Sequence, residues 1–174
     1  MRTMVVWLGL LLFIAGCSNQ QPPSSADQPS PLPPMTPEPV YNFTLKTLAG
    51  ETVSLDEFQG EWVLINFWAT WCHPCVEEMP YLQQIADEGD MVVLGVNFNE
   101  SPEVVTQFVD EHHISFPILM DPSEVILTMY QARSLPRTFV VDPDGMVVQR
   151  IVGPVIPEQF DPWREQNVTQ LAQN

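Results

Sequence analysis

Residues 63–80, VLINFWATWCHPCVEEMP, constrain this chain more than any other stretch. The run 62–68 is almost continuously apolar and rich in strand formers. It has no polar face, so it predicts a strand covered on both sides, as in the middle of a parallel sheet. The run leads directly into Cys72, His73, Pro74 and Cys75, after which the pattern turns helical. Met79, Leu82, Ile85 and Ala86 form the apolar stripe of that helix, and Gly89 ends it. Pro74 suits a first turn, where an N–H has no intrahelical partner anyway, while Pro80 is expected to kink the helix. Two cysteines at a strand-to-helix junction are the parts that thiol–disulfide exchange requires.

The rest of the chain supplies the elements of one α/β domain. Residues 43–47 and 52–55 read as a β-hairpin around Gly50, and 56–60 as a turn or a single helical turn. Residues 91–97 are a second buried strand. Ser101 is placed to cap the helix that follows, with Val104, Val105, Phe108 and Val109 as its inward face. A short strand at 116–120 and a helix at 122–131 come next. A strand at 138–141, a turn at 142–145 and a return strand at 146–152 complete the sheet, and a C-terminal helix is expected over 157–172 through Phe160, Trp163 and Val168. The order β-β-β-α-β-α-β-α-β-β-α fits a three-layer α/β fold with an N-terminal β-hairpin extension.

Residues 1–16 read as an export signal, with Arg2 before an apolar stretch that is too short to cross a bilayer, which takes about 20 residues. Ile14-Ala15-Gly16-Cys17 resembles a bacterial lipobox, which implies lipidation of Cys17; an ordinary signal peptide with an incidental cysteine is the plainer alternative. Residues 17–39 hold eight prolines and little apolar content, so they are expected to form a disordered or extended tether reaching up to roughly 70 Å. The folded domain is then expected over 40–174. With 22 acidic against 6 basic side chains, the net charge of −16 argues against nucleic acid as a partner.

Cys72 and Cys75 are the only cysteines close enough to pair in a domain of this kind. A free thiol is mostly protonated at neutral pH, with a pKa of about 8.5. Three features favour the Cys72 thiolate: the helix N-terminus, the neighbouring His73 and the second thiol of the pair. Cys72, which precedes the helix, is expected to be the more exposed of the two and the nucleophile, and Cys75, one turn in, the buried resolving thiol. Glu78 lies at i+3 from Cys75 on the same helix face. If that face looks inward, burial raises its pKa and equips it to carry a proton; a solvated or purely structural carboxylate is the alternative. Glu77 is expected at the surface. A zinc site needs about four ligands, and His112 and His113 have no matching spacing, so neither a metal nor a cofactor is expected.

NFWATWCHPC at 66–75, followed by EEMP, resembles the thioredoxin superfamily, and more narrowly its extracytoplasmic TlpA/ResA-type branch. The likeness continues through LGVN at 94–97, Phe116-Pro117 and PRTFVVDPDG at 136–145. It implies a thioredoxin-like fold and a membrane-anchored thiol–disulfide oxidoreductase acting on exported proteins with cysteine pairs. By analogy with its relatives it would be a monomeric reductant fed by a membrane electron donor, with apocytochrome c among the possible substrates. The likeness also implies a cis peptide before Pro136, with Pro136 lying against the cysteine pair and the Leu135 backbone pairing with substrate. Trp68 and Trp71 would shield the pair, or simply belong to the core. Arg137 would sit near the thiolate or contact substrate, a solvated strand residue being equally open. Asn66 stands where ordinary thioredoxins carry a titratable Asp, which shifts the proton-carrying role towards Glu78. A copper carrier of the same fold is the alternative from another class. It fits less well, because such carriers use a wider Cys spacing and a distal His. A thiol peroxidase fits less well again, because of the Cys-x-x-Cys pair.

Overall fold

The computed structural model describes residues 30–121 and 123–169. The expected export signal, Cys17 and the first half of the tether lie outside the described residues. One sheet of eight strands runs in the order β1-β8-β7-β4-β5-β6-β2-β3. These are β1 (Glu38–Pro39), β2 (Thr44–Thr47), β3 (Thr52–Ser54), β4 (Val63–Trp68), β5 (Val92–Phe98), β6 (Ile118–Asp121), β7 (Arg137–Val141) and β8 (Met146–Val152). Strands β4, β5 and β6 are parallel, while β7 joins β4 antiparallel. The β2–β3 hairpin is antiparallel and extends the far edge through β6.

Every residue of β4 is buried, as an apolar run with two covered faces requires. Its side chains alternate between two cores. Leu64 and Trp68 face the core shared with Met79, Leu82, Val105 and Phe160. Val63, Ile65 and Phe67 face the core shared with Leu55, Ile126 and Tyr130. Helices α1 (His73–Glu88), α2 (Pro102–His112) and α4 (Pro157–Arg164) therefore cover one face. Helix α3 (Val125–Met129) and a 3-10 turn (Leu55–Phe58) cover the other. This is the mixed α/β thioredoxin-like architecture in three layers.

Helix α1 runs on through Pro80 and stops at Gly89, whose φ of 73° is the left-handed conformation that glycine adopts without strain. Several expectations change. Ser101 is the N-cap residue of α2, but its side chain makes no capping hydrogen bond. Val104 faces solvent at 49% exposure, because Val105 alone points fully into the core and the helix turns about 100° per residue. Helix α3 spans five residues rather than ten; the Asp121 carboxylate receives the N–H groups of Ile126 and Leu127 and so sets its start. The C-terminal helix changes to π geometry at Glu165–Thr169, with Pro162 inside α4 and Val168 buried beyond it.

The boundary expected at Val40 also moves. Within the segment assigned to the tether, Glu38 and Pro39 pair with β8 opposite Val147 and Met146. Gln149 donates its side-chain amide to the Pro33 carbonyl, and Glu38 forms an ion pair with Arg150. Leu32 and Met35 pack against the two cores. Prolines lacking N–H donors are tolerated there because the segment lies on the sheet edge.

Gly95 in β5 has no room for a side chain: a Cβ would lie 2.8 Å from Ile118 Cδ1, 2.9 Å from Phe116 Cε2 and 3.1 Å from Trp68 Nε1. Gly95→Ala is expected to destabilise the protein by about 1–3 kcal/mol, read as a lower urea midpoint. An unchanged midpoint would show that this face of the sheet is less tightly packed than the distances imply.

Candidate active site

The β4–α1 junction puts the cysteine pair at the carboxyl end of the central strand. Cys72 is the N-cap residue of α1, in extended conformation, and Pro74 occupies the first turn. The Cys72 carbonyl accepts the N–H groups of Cys75 and Val76, which starts the helix. Cys72 and Cys75 are joined as a disulfide. Cys72 keeps 6% of its surface accessible and Cys75 none, so Cys72 is the more accessible of the two residues.

The two aromatic residues before the pair have different fates. Trp68 is fully buried and packs on Phe108, while Trp71 is 65% exposed and meets the edge of Phe98. The His73 side chain also points outward, with Nε2 3.3 Å from Glu77 Oε1, and Glu77 is a surface residue as expected. The Leu135–Pro136 peptide is cis, as the family likeness implies, and Pro136 is buried. Its carbonyl accepts the Gly153 N–H, tying the start of β7 to the end of β8. Leu135 is half-buried and packs against both cores. Arg137 is half-buried too. One guanidinium nitrogen reaches Ser134 Oγ at 3.3 Å, Nε is buried without a partner, and no ion pair involves it among the described residues.

Beneath the cysteine pair lies a buried carboxylate. Glu78 is 3% exposed on the inward face of α1. Asn66 Nδ2 donates to Oε1 at 2.9 Å, and the Val155 N–H donates to Oε2 at 2.5 Å. Asn66 Nδ2 also reaches Thr138 Oγ1 on β7 at 3.0 Å. Burial pushes the Glu78 pKa up from 4.5 to about 7, against the opposing pull of the hydrogen bonds from Val155 and Asn66. The carboxyl therefore changes charge close to neutral pH, one helical turn from Cys75.

Three further contributors are not marked by the cysteine motif. Thr138 and the Val155 N–H complete the setting of Glu78. A second network holds the loop before Cys72: Glu100 accepts the Thr70 N–H and hydroxyl and the Asn97 amide. Asn97 is a polar residue in an otherwise apolar strand, and buried polar groups require partners; that was the available signal. Among the described residues no group of three or more His, Cys, Asp or Glu is placed to hold a metal ion.

An open mixed sheet with a Cys-x-x-Cys disulfide at the start of its first long helix defines a thioredoxin-like thiol–disulfide oxidoreductase. The chain belongs to the AhpC/TSA family, which it matches over residues 37–150. It is 33% identical over 123 residues to the thiol-disulfide oxidoreductase ResA of Bacillus thuringiensis (strain Al Hakam), covering 69% of this chain and 71% of that protein. Among solved structures it is similar to StoA from Bacillus subtilis, with 27% identity and a TM-score of 0.63 over 72% of this chain and 97% of StoA. It is also similar to the pneumococcal exposed lipoprotein thioredoxin Etrx1 from Streptococcus pneumoniae, with 28% identity and a TM-score of 0.65 over 72% of this chain and 99% of that one. The chain is thus an oxidoreductase of the ResA type, with Cys72–Cys75 as its Cys-x-x-Cys pair.

The raised Glu78 pKa has a consequence for stability. The folded protein holds this proton more tightly than the unfolded chain, so the associated stability is fully present below about pH 4.5. It is lost as pH rises through about 7, a change on the order of 3 kcal/mol. Urea unfolding of the oxidised protein at pH 5 and pH 8 should show this loss in the wild type. In Glu78→Gln the corresponding part of the pH dependence should be missing; parallel profiles for the two proteins would refute the assignment.

Proposed function

We propose that the protein reduces disulfides in exported proteins on the extracytoplasmic side of a membrane, tethered through a lipid on Cys17. The catalytic cycle follows from the different surroundings of the two cysteines. The Cys72 thiolate attacks the accessible sulfur of a substrate disulfide, forming a mixed disulfide and releasing one substrate thiolate, which takes a proton from solvent. Cys75 then gives its proton to the Glu78 carboxylate and attacks Cys72. The second substrate thiolate leaves and takes a proton from solvent, and Cys72–Cys75 becomes a disulfide by giving up the two electrons that the substrate gains. A membrane electron donor returns the pair to the dithiol. Glu78 suits its part because its pKa of about 7 allows it both to accept and to release the proton near neutral pH. Pro136 and Leu135 form the wall on which the substrate chain is laid.

The observation that carries the reducing direction is the sparse stabilisation of the Cys72 thiolate. The His73 side chain is 85% exposed, with its Nε2 3.3 Å from Glu77 Oε1, so the ring is solvated and turned to Glu77. What remains to stabilise the thiolate is the helix N-terminus and the Cys75 thiol of the reduced pair. Strong thiol oxidants owe their potential to a stabilised reduced form, which this setting lacks. The anchor reading is supported by Ile14-Ala15-Gly16-Cys17, by the proline-rich residues after it, and by the similarity to a protein described as an exposed lipoprotein. Among the described residues no helix is long and apolar enough to cross a membrane. Substrates are exported proteins with cysteine pairs, apocytochrome c among them, and the protein acts as a monomer.

Equilibration with glutathione should give a reduction potential at or below about −200 mV; a value near −120 mV, that of a strong periplasmic oxidant, would sink the reductant reading. Cys75→Ser should hold substrates as mixed disulfides through Cys72, identified by mass spectrometry after capture from an exported fraction. If Cys72→Ser traps partners instead, the two cysteines exchange roles. Glu78→Gln should slow reduction of a peptide disulfide by about 10- to 100-fold at pH 7 and remove the inflection near pH 7 from the rate profile.

A further inference from the structure

The segment from Ala69 to Cys72 is held by a carboxylate from outside the motif. Glu100 lies in the loop between β5 and α2 and is half-buried. Its Oε2 accepts the Thr70 N–H at 2.8 Å and the Asn97 side-chain amide at 2.8 Å, while Oε1 accepts the Thr70 hydroxyl at 2.5 Å. Asn97 is fully buried on β5, beside Trp68 of β4, so this carboxylate is anchored to the rigid middle of the sheet. A turn closed by the Cys72 N–H on the Ala69 carbonyl, at 3.2 Å, separates it from Cys72. Thr70 is two residues from Cys72, and consecutive Cα atoms are about 3.8 Å apart, so the negative charge lies within roughly 10 Å of the Cys72 backbone. That is little more than one Debye length at physiological salt, about 8 Å.

We propose that Glu100 is a positioning residue for the exchange reaction: its hydrogen bonds fix the loop that presents Cys72 and Trp71, and its charge disfavours the Cys72 thiolate. The two effects serve one purpose. The loop must stay in place while Cys72 passes between disulfide, thiolate and mixed disulfide, and donors as short-tethered as the Thr70 N–H and hydroxyl need an acceptor from another element to hold them. A carboxylate gives stronger bonds than a neutral acceptor. Its charge opposes the helix N-terminus and so keeps the reduced form from being over-stabilised, in keeping with a reductant. This rests on the reading of Cys72 as the attacking thiol.

Glu100→Gln separates the two effects. Its carbonyl can accept from Thr70 N–H and Asn97, its amide can donate to the Thr70 hydroxyl, and the charge is gone. In the reduced protein, iodoacetamide alkylation against pH should show Cys72 half-ionised at about threefold higher proton concentration than in the wild type. At a pH above the Cys72 midpoint, the equilibrium constant for reduction by glutathione should rise about threefold, equivalent to about 15 mV. Glu100→Ala should show the same shift and, in addition, reduce a peptide disulfide about tenfold more slowly at matched thiolate fraction. Unchanged titration and potential in Glu100→Gln would overturn the charge effect. Equal rates for the Ala and Gln variants would overturn the positioning effect. If Glu100→Ala does not fold, Thr70→Val replaces it, with a slowing of about threefold expected and unchanged rate as the overturning result. A wild type unable to exchange disulfides, or one alkylated first at Cys75, would instead remove the reading of the cysteine pair on which the proposal rests.

Discussion

The carboxylate of Glu78 is the interaction on which the rest of the site depends. It is almost completely buried, and desolvation alone would make a charge there costly. Two donors make it tolerable: the Asn66 amide on β4 and the Val155 N–H in the segment between β8 and α4. Three parts of the chain, distant in sequence, are thereby joined one helical turn below Cys75. The hydrogen bonds pull the pKa down and burial pushes it up; burial wins, which leaves the group poised at about 7. A fully exposed carboxylate on the same helix face would be ionised at neutral pH and would have little affinity for a proton leaving a thiol.

The sheet makes this joining possible. Strand β4 lies between β5 and β7, so its two neighbours supply Asn97 on one side and Thr138 on the other. Asn66 and Trp68 point to the α1 face, while Phe67 points away. The period of two along the strand thus decides which residues meet the cysteine helix. On the outer side of α1, Tyr81 donates to Asp161, and Arg164 pairs with Glu88 and Asp90, which fastens α4 along the helix. The Tyr81 hydroxyl is held protonated well above its ordinary range, chiefly by burial and by the Asp161 carboxylate it donates to. Position and chemistry of the pair are therefore set by packing on both sides of α1.

The proline-rich segment shows how composition can mislead. Taken by itself it has too little apolar surface to order. Leu32 and Met35 are nevertheless enough to seat it once a preformed sheet edge offers β8 as a template. A backbone pair at Glu38 and Pro39 and the Gln149 amide on the Pro33 carbonyl complete the attachment. The segment covers an edge that would otherwise present unpaired donors and acceptors.

The cysteine spacing, the apolar run before it and the helical stripe after it fixed the order of elements, the place of α1 and the buried state of β4, because each depends on local periodicity. They also indicated the fold and the redox pair. The raised pKa of Glu78 was conditional in the sequence, since it depends on which way one helix face looks. Thr138, the Val155 N–H and Glu100 were not legible, and Asn97 signalled only that a buried polar group needed a partner: each acts across at least one chain crossover or from a backbone atom, and no local pattern records which strands become neighbours. The exposure of Val104 and the short α3 were misjudged for a related reason, because helix periodicity leaves a stripe edge undetermined until its neighbour is in place. The sequence by itself determined which groups can do thiol chemistry. The tertiary structure decided which of them are desolvated, which are paired and which remain open to a substrate, because burial and charge are properties of the assembled environment and not of the residues.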